Sequence, residues 1–283
     1  MQSDAPLIVY GPTRSKSFFS LVLESAKDIP NGYGLGLQLA KRDIKAMYRQ
    51  SILGLAWAVF TPVAQTLVWV FLSNRGVLNV GDSGVPYAAF VLSGIMMWQT
   101  FVECMNAPLL MFNNSRSILS KVNIIKESLI VAGYLKSVFN LAIKLVVLFP
   151  VLIYFEVGLS WETLLAIPLI LSVMVLGFVI GIWMVPVGVL FTDVQRAVQT
   201  FIQLLFFLTP IIYPPRIEGV FGLMDKLNPA AIIIGTCRDV LVGREVLDWS
   251  AFGVMMSVVV VFGLIGLGIY RVSLPIIIER MGS

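Results

Sequence analysis

Residues 163–190 read TLLAIPLILSVMVLGFVIGIWMVPVGVL, a run without one charged side chain. At ~1.5 Å of rise per residue, a helix of this length outruns a hydrocarbon layer of ~30 Å. In lipid the backbone finds no hydrogen-bond partner but itself, and no barrel-like alternation is visible, so the run predicts a membrane-spanning helix. Five more apolar stretches of similar character lie near 52–73, 85–107, 129–155, 197–213 and 250–270. The shortest, 197–213, contains Pro210 and is followed by Pro214 and Pro215. The whole chain agrees with its densest part. Of 283 residues, 58% are hydrophobic and 13% charged, against ~25% charged in an ordinary soluble domain. Disorder, coiled coil and a disulfide scaffold are excluded. The expected fold class is an all-α polytopic membrane protein with six transmembrane helices.

The distribution of charge sets the expected orientation. Thirteen Lys and Arg, from Arg14 to Arg280, fall on one side of the six stretches. Five fall on the other: Arg75, Arg216, Lys226, Arg238 and Arg244. Lys136 and Lys144 lie inside the third stretch. Positive residues accumulate on the cytoplasmic side, so both termini are expected there. No secretory signal is expected, because no apolar run of sufficient length precedes Ile52. A net charge of +4 is too small for a nucleic-acid binder.

Several chemistries are excluded by what the chain lacks. There is no histidine, hence no imidazole base or ligand. Cys104 and Cys237 stand far apart in no paired motif, so neither a metal cage nor a redox pair is expected. No Gly-Lys dipeptide occurs, which removes the phosphate-cradling loop of nucleotide-binding proteins. Gly32-Tyr33-Gly34-Leu35-Gly36 follows no strand and reads as a flexible lead-in. No catalytic residue, metal or cofactor is expected in this chain. If ATP drives its work, another chain binds the ATP and Mg.

Between the spans the chain divides as follows. Residues 1–34 form a cytoplasmic N-terminal segment. Residues 35–50 predict a basic amphipathic helix, with Leu37, Ala40, Ile44, Met47 and Tyr48 on one face and Gln38, Lys41, Arg42, Lys45 and Arg49 on the other. It leads directly into a transmembrane domain, 51–275, which ends in a cytoplasmic tail, 276–283. The inner loop 108–128 is long enough for a short helix capped at Asn114 or Ser115. The outer segment 214–248 holds an apolar stretch too short to span, and a re-entrant hairpin is expected between spans five and six.

One series of motifs is specific by its order. Arg42-Asp43-Ile44-Lys45, Tyr48-Arg49-Gln50-Ser51-Ile52-Leu53-Gly54, Trp57 and Pro62 open it. Asn123-Ile124-Ile125-Lys126-Glu127 follows before the third span. Then come Thr192-Asp193-Val194, Phe206-Phe207-Leu208-Thr209-Pro210-Ile211-Ile212-Tyr213, Asn228-Pro229 and Arg238-Asp239-Val240-Leu241. Over residues 35–275 the chain resembles the permease subunits of bacterial type-2 ABC exporters of polysaccharide and polyol phosphate. Ile125-Lys126 departs from the Phe-Pro that the family usually carries there. The resemblance implies a homodimer in the bacterial inner membrane, joined to two cytoplasmic ABC ATPase subunits. It implies export of a glycan on a polyprenyl diphosphate lipid; O antigen of lipopolysaccharide, capsule and teichoic acid all fit. A type-2 ABC exporter of small hydrophobic drugs and an ion-coupled transporter or channel are the alternatives.

Candidate site residues follow. Arg42, Lys45, Tyr48 and Arg49 lie where cations meet either the substrate diphosphate or bilayer phospholipid. Trp69 and Trp98, with Phe206 and Phe207 of the signature, are expected to line a channel, where rings stack on the C–H faces of sugars; interfacial anchoring is the other reading of the tryptophans. Lys136, Asn140 and Lys144 recur every four residues and share a face. That face is either a buried pair, Glu103 with Lys136, beside a snorkelling Lys144, or a polar translocation surface. Asn114, Ser115, Arg116 and Lys121 are the expected ATPase-coupling residues. Gly177, Gly181 and Gly188 predict close packing of helices within the subunit.

Overall fold

A computed structural model describes residues 17–49, 54–77, 81–119, 124–157, 161–215 and 219–282. They form α1 (Phe18–Asn31), α2 (Tyr33–Arg49), α3 (Ala56–Asn74), α4 (Tyr87–Asn114), α5 (Arg116–Leu119), α6 (Glu127–Tyr154), α7 (Ala166–Gly188), α8 (Thr192–Leu208), α9 (Gly219–Leu227), α10 (Pro229–Leu241) and α11 (Trp249–Gly282). There is no strand among the described residues. Five helices are long and apolar enough to cross a membrane: α3, α4, α6, α7 with the turn before it, and α11. The sixth expected stretch, 197–213, differs. Its helix, α8, starts earlier at Thr192 and stops at Leu208, and Gln195, Arg196, Gln199, Thr200 and Gln203 make it amphipathic.

The interior is built on α4 and α7, which run parallel, with the glycines of α7 set against α4. A methyl group at Gly177 would strike the Phe101 carbonyl, and one at Gly181 the Met105 carbonyl, while Gly188 faces Leu109. The small residues therefore bring the two backbones together inside one subunit. Phe90, Ile95, Met96, Met97, Phe101 and Met174 fill the shared core. Antiparallel α6 packs on another face of α4, with Gly133 against Ala107 and Met111.

Helix α4 does not stop at residue 107. It continues through Pro108 to Asn114. Proline removes one backbone donor from a helix and ordinarily ends it, but Pro108 packs against Gly181, and the helix is held on that side. The inner loop is thereby shortened, and its helix shrinks to the single turn α5. The Ser115 carbonyl, not its hydroxyl, accepts from Ile118 and Leu119 N–H at 3.0 and 2.9 Å.

Helices α1 and α2 wrap the end of the bundle where α6 begins and α11 ends. Gly32 and Gly36 set α2 directly on Ser128 and Val131 of α6. The buried face of α2 is Gly36, Leu39 and Ala40, continued by Gly32 just before the helix, while Met47, expected on that face, is exposed. Arg271 of α11 fastens α1: it donates to Asp28 at 2.6 Å and to Glu127 at 2.5 Å, with Glu24 at 3.5 Å. Ser25 also donates to Glu127 at 3.0 Å.

At the opposite end, α9 and α10 fill the segment between α8 and α11. Asn228 begins α10 by local chemistry: its Oδ1 accepts from Ala230 N–H at 3.0 Å, and Pro229 takes the first helical position, where no donor is needed. Helix α10 is sunk against α4 and α7. Fully buried Arg238 donates to the Pro210 carbonyl at 2.6 Å, lies over the Phe90 ring at 3.9 Å and pairs with Asp239, which also holds Arg244 at 3.3 Å.

Candidate functional site

A polar column runs down α4 among otherwise apolar helices. Gln99, Glu103 and Asn106 recur at spacings of four and three, so they share one face. Each meets a polar group from a different helix. Gln99 donates to Gln65 of α3 at 3.0 Å. Glu103 accepts from Lys144 of α6 at 2.8 Å and from Asn140 at 3.5 Å. Asn106 accepts from Gln199 of α8 at 2.7 Å. Each pair takes up hydrogen-bonding capacity that lipid could not satisfy.

An aromatic cluster caps the column at the α9–α10 end. Phe206 lies 5.6 Å from Trp98, 6.5 Å from Trp69 and 5.4 Å from Phe207, and Phe207 lies 6.4 Å from Trp69. Helices α3, α4 and α8 thus bring together four aromatic residues far apart in sequence. Phe207 is exposed, whereas Trp98 is buried and also stacks on Phe101.

Lys136 is not the partner of Glu103. It is partly exposed and forms no ion pair among the described residues, while Lys144 is buried and takes the carboxylate. The cause is register. With α4 running on to Asn114, Glu103 stands about three turns from the helix end, not one. The antiparallel face of α6 then presents Asn140 and Lys144 at its depth.

On α2, Lys45 and Arg49 are exposed. Arg42 is exposed too, but its guanidinium is held by Asp43 at 2.8 Å, which reduces what it offers a second anion. The Tyr48 side chain lies outside the described residues. At the end of α4, Arg116 donates to Asn113 Oδ1 at 2.9 Å and to the Val189 carbonyl at 3.0 Å, tying α4 to the end of α7. Asn114 is exposed and Ser115 buried. Lys121 lies outside the described residues.

Gln65, Gln99, Asn106 and Gln199 were not among the expected site residues. Their signal was present: Gln99, Glu103 and Asn106 already repeat at helical spacing within an apolar run. The Arg271 cluster is less legible, because Asp28 lies 243 positions away. Among the described residues no group of His, Cys, Asp or Glu is arranged to hold a metal ion.

Residues 36–242 match the ABC-2 type transporter family. Two relatives from Klebsiella pneumoniae, both named O-antigen export system permease protein RfbA, are 26% identical to this chain. One aligns over 84% of this chain and 92% of its own length across 246 residues; the other has the same coverage across 242 residues. A protein of the same name from Myxococcus xanthus is 24% identical, over 81% of this chain and 88% of its own length.

Proposed function

The chain belongs to the ABC-2 type transporter family, and from that footing we propose that it is the permease subunit of an O-antigen-like polysaccharide exporter. It carries the glycan on a polyprenyl diphosphate across the bacterial inner membrane. Two cytoplasmic ABC ATPase subunits, which bind the ATP and Mg, drive a permease homodimer. In this reading α8 is the sixth span, α9 and α10 are the outer re-entrant hairpin, and both termini are cytoplasmic. Helix α2 lies in the inner headgroup layer, and the α4–α5 corner with Arg116 receives the ATPase.

The polar column on α4 is the observation that carries the proposal. Neutral amides dominate it, and they exchange hydrogen bonds with hydroxyl groups without selecting one sugar. The aromatic cap offers faces on which sugar rings slide. A hydrophobic drug offers nothing to the donors and acceptors that these amide pairs leave over, and each such group that it cuts off from water costs about 1–3 kcal/mol. Lys45 and Arg49 stand where an anionic lipid head first meets the bundle.

The test is export in a strain lacking its O-antigen permease and supplied with this chain and its ATPase. Gln99→Leu with Asn106→Leu should lower surface polysaccharide at least ten-fold on lipopolysaccharide gels, at unchanged membrane level and ATPase binding. Undiminished export by this variant removes the column from the path.

A further inference from the structure

A cavity of about 490 Å³ opens between α9, α10 and the start of α11, at the end of the molecule away from α1 and α2. Its size falls within the ~300–1,000 Å³ usual for small-molecule sites. Pro210, Ile232 and Leu247 give it apolar walls, and Asp225, Thr236 and Asp248 supply its polar groups. The buried Arg238–Asp239 pair closes one side and is already satisfied by Pro210 and Arg244.

Two features point to a ligand. The first is Thr236. It is 6% exposed, yet its hydroxyl forms no hydrogen bond with the described residues. Threonines in helices ordinarily donate to the carbonyl four residues back. Thr66, Thr100, Thr200 and Thr209 all do so here, at 2.8, 2.8, 3.1 and 2.7 Å. Thr236 lines the cavity instead. The second is Gly235 beside it, where an added Cβ would meet nothing within 4 Å. The helix leaves room beside a hydroxyl that opens onto the cavity without a protein partner.

We propose that this cavity is a binding subsite for one neutral sugar residue of the exported glycan. The assignment rests on the polysaccharide reading above and adds a place to it. The lining fits a sugar ring in three ways. Apolar walls receive its C–H faces. Asp248, whose Oδ1 already accepts from Ser250 and Ala251, offers its other carboxylate oxygen to a sugar hydroxyl, and Thr236 either donates or accepts. An anionic group is disfavoured, because Arg238 is already taken by the Pro210 carbonyl and Asp239, and Lys226 lies near the Asp248 carboxylate. The subsite therefore holds the sugar end of the substrate and not its diphosphate. A glycan retained here on the far side resists sliding back while the ATPases reset.

Gly235→Leu fills the cavity on a helix that tolerates leucine, and Thr236→Val removes the hydroxyl at nearly constant shape. Wild-type and variant permeases in lipid nanodiscs are compared by saturation-transfer NMR with free mannose, galactose, glucose and rhamnose at millimolar concentration. Wild type should transfer saturation to at least one of these sugars. Gly235→Leu and Thr236→Val should each reduce that transfer at least five-fold, with monodisperse protein and retained ATPase binding. Transfer no greater than from empty nanodiscs, or equal transfer from both variants, overturns the subsite. Export separates the two readings: normal export by Gly235→Leu overturns the subsite while leaving the exporter intact. Should wild type export no glycan, the exporter reading fails, and the sugar titration still decides the cavity.

Discussion

Lys144 is shut away from solvent on α6, with 1% of its side chain exposed, and Glu103 is its ion-pair partner. Removing a carboxylate from such a pair leaves a buried ammonium uncompensated, at about 3–5 kcal/mol. Glu103→Gln should therefore lower the unfolding temperature of the detergent-purified permease by several degrees and reduce export. Exchanging the two residues, Glu103→Lys with Lys144→Glu, should recover at least half of the lost stability. If the exchange is as damaging as the single change, the pair is not what holds the site. The face carrying Asn140 and Lys144 was legible from a four-residue spacing. Its partner Glu103 was legible too, but the reading gave it to Lys136 and not to Lys144, because it stopped α4 at Pro108. A proline inside a tightly packed helix costs one hydrogen bond, and the glycine contacts of α7 hold that helix together beyond it.

Helix α2 shows how far an amphipathic pattern can be read. Its polar face follows from the sequence, and Lys45 and Arg49 are exposed as the spacing requires. Its contact face is rotated towards Gly32, Gly36 and Leu39, because glycines let the backbone approach α6 more closely than any apolar side chain would. Helix α1 was not legible at all: its acidic residues Glu24 and Asp28 find Arg271 only after the whole chain has folded. The exposed cations of α2 admit two roles, and charge strength separates them. Each basic residue near an anionic surface contributes ~1 kcal/mol, so an anchoring helix survives the loss of one. A bidentate contact between Arg and diphosphate has a geometry that Lys does not reproduce. Under substrate capture, Arg49→Lys and Arg49→Glu should both lose most export at matched membrane level. Near-normal export by Arg49→Glu would assign the helix to lipid anchoring.

Five of the six expected spans were readable because lipid imposes one rule on every helix: backbone groups pair internally and apolar side chains face outward. What the rule does not reveal is which polar residues are covered and by what. In a single chain the α4 column is walled by α3, α6 and α8 and open on one side, with Gln65 exposed and the Glu103 side chain 35% exposed. Presenting ionisable groups to hydrocarbon costs several kcal/mol, so that side must meet water enclosed by protein. The rows beside the opening are apolar: Phe60, Leu67 and Phe71 on α3, and Phe201, Leu204 and Phe207 on α8, all exposed. In the proposed homodimer, a second copy placed face to face by a two-fold axis would close the column into a path and cover both rows. Cysteine introduced at Leu204 should then form a disulfide between copies on mild oxidation in membranes. Cysteine at Val258, exposed on α11, should not. The native thiols of Cys104 and Cys237 are buried and give no background. The permease with its ATPase in nanodiscs should have the mass of two copies of each. A complex with one permease, or cross-linking through Val258 in place of Leu204, would mean that the column is closed by something other than this chain.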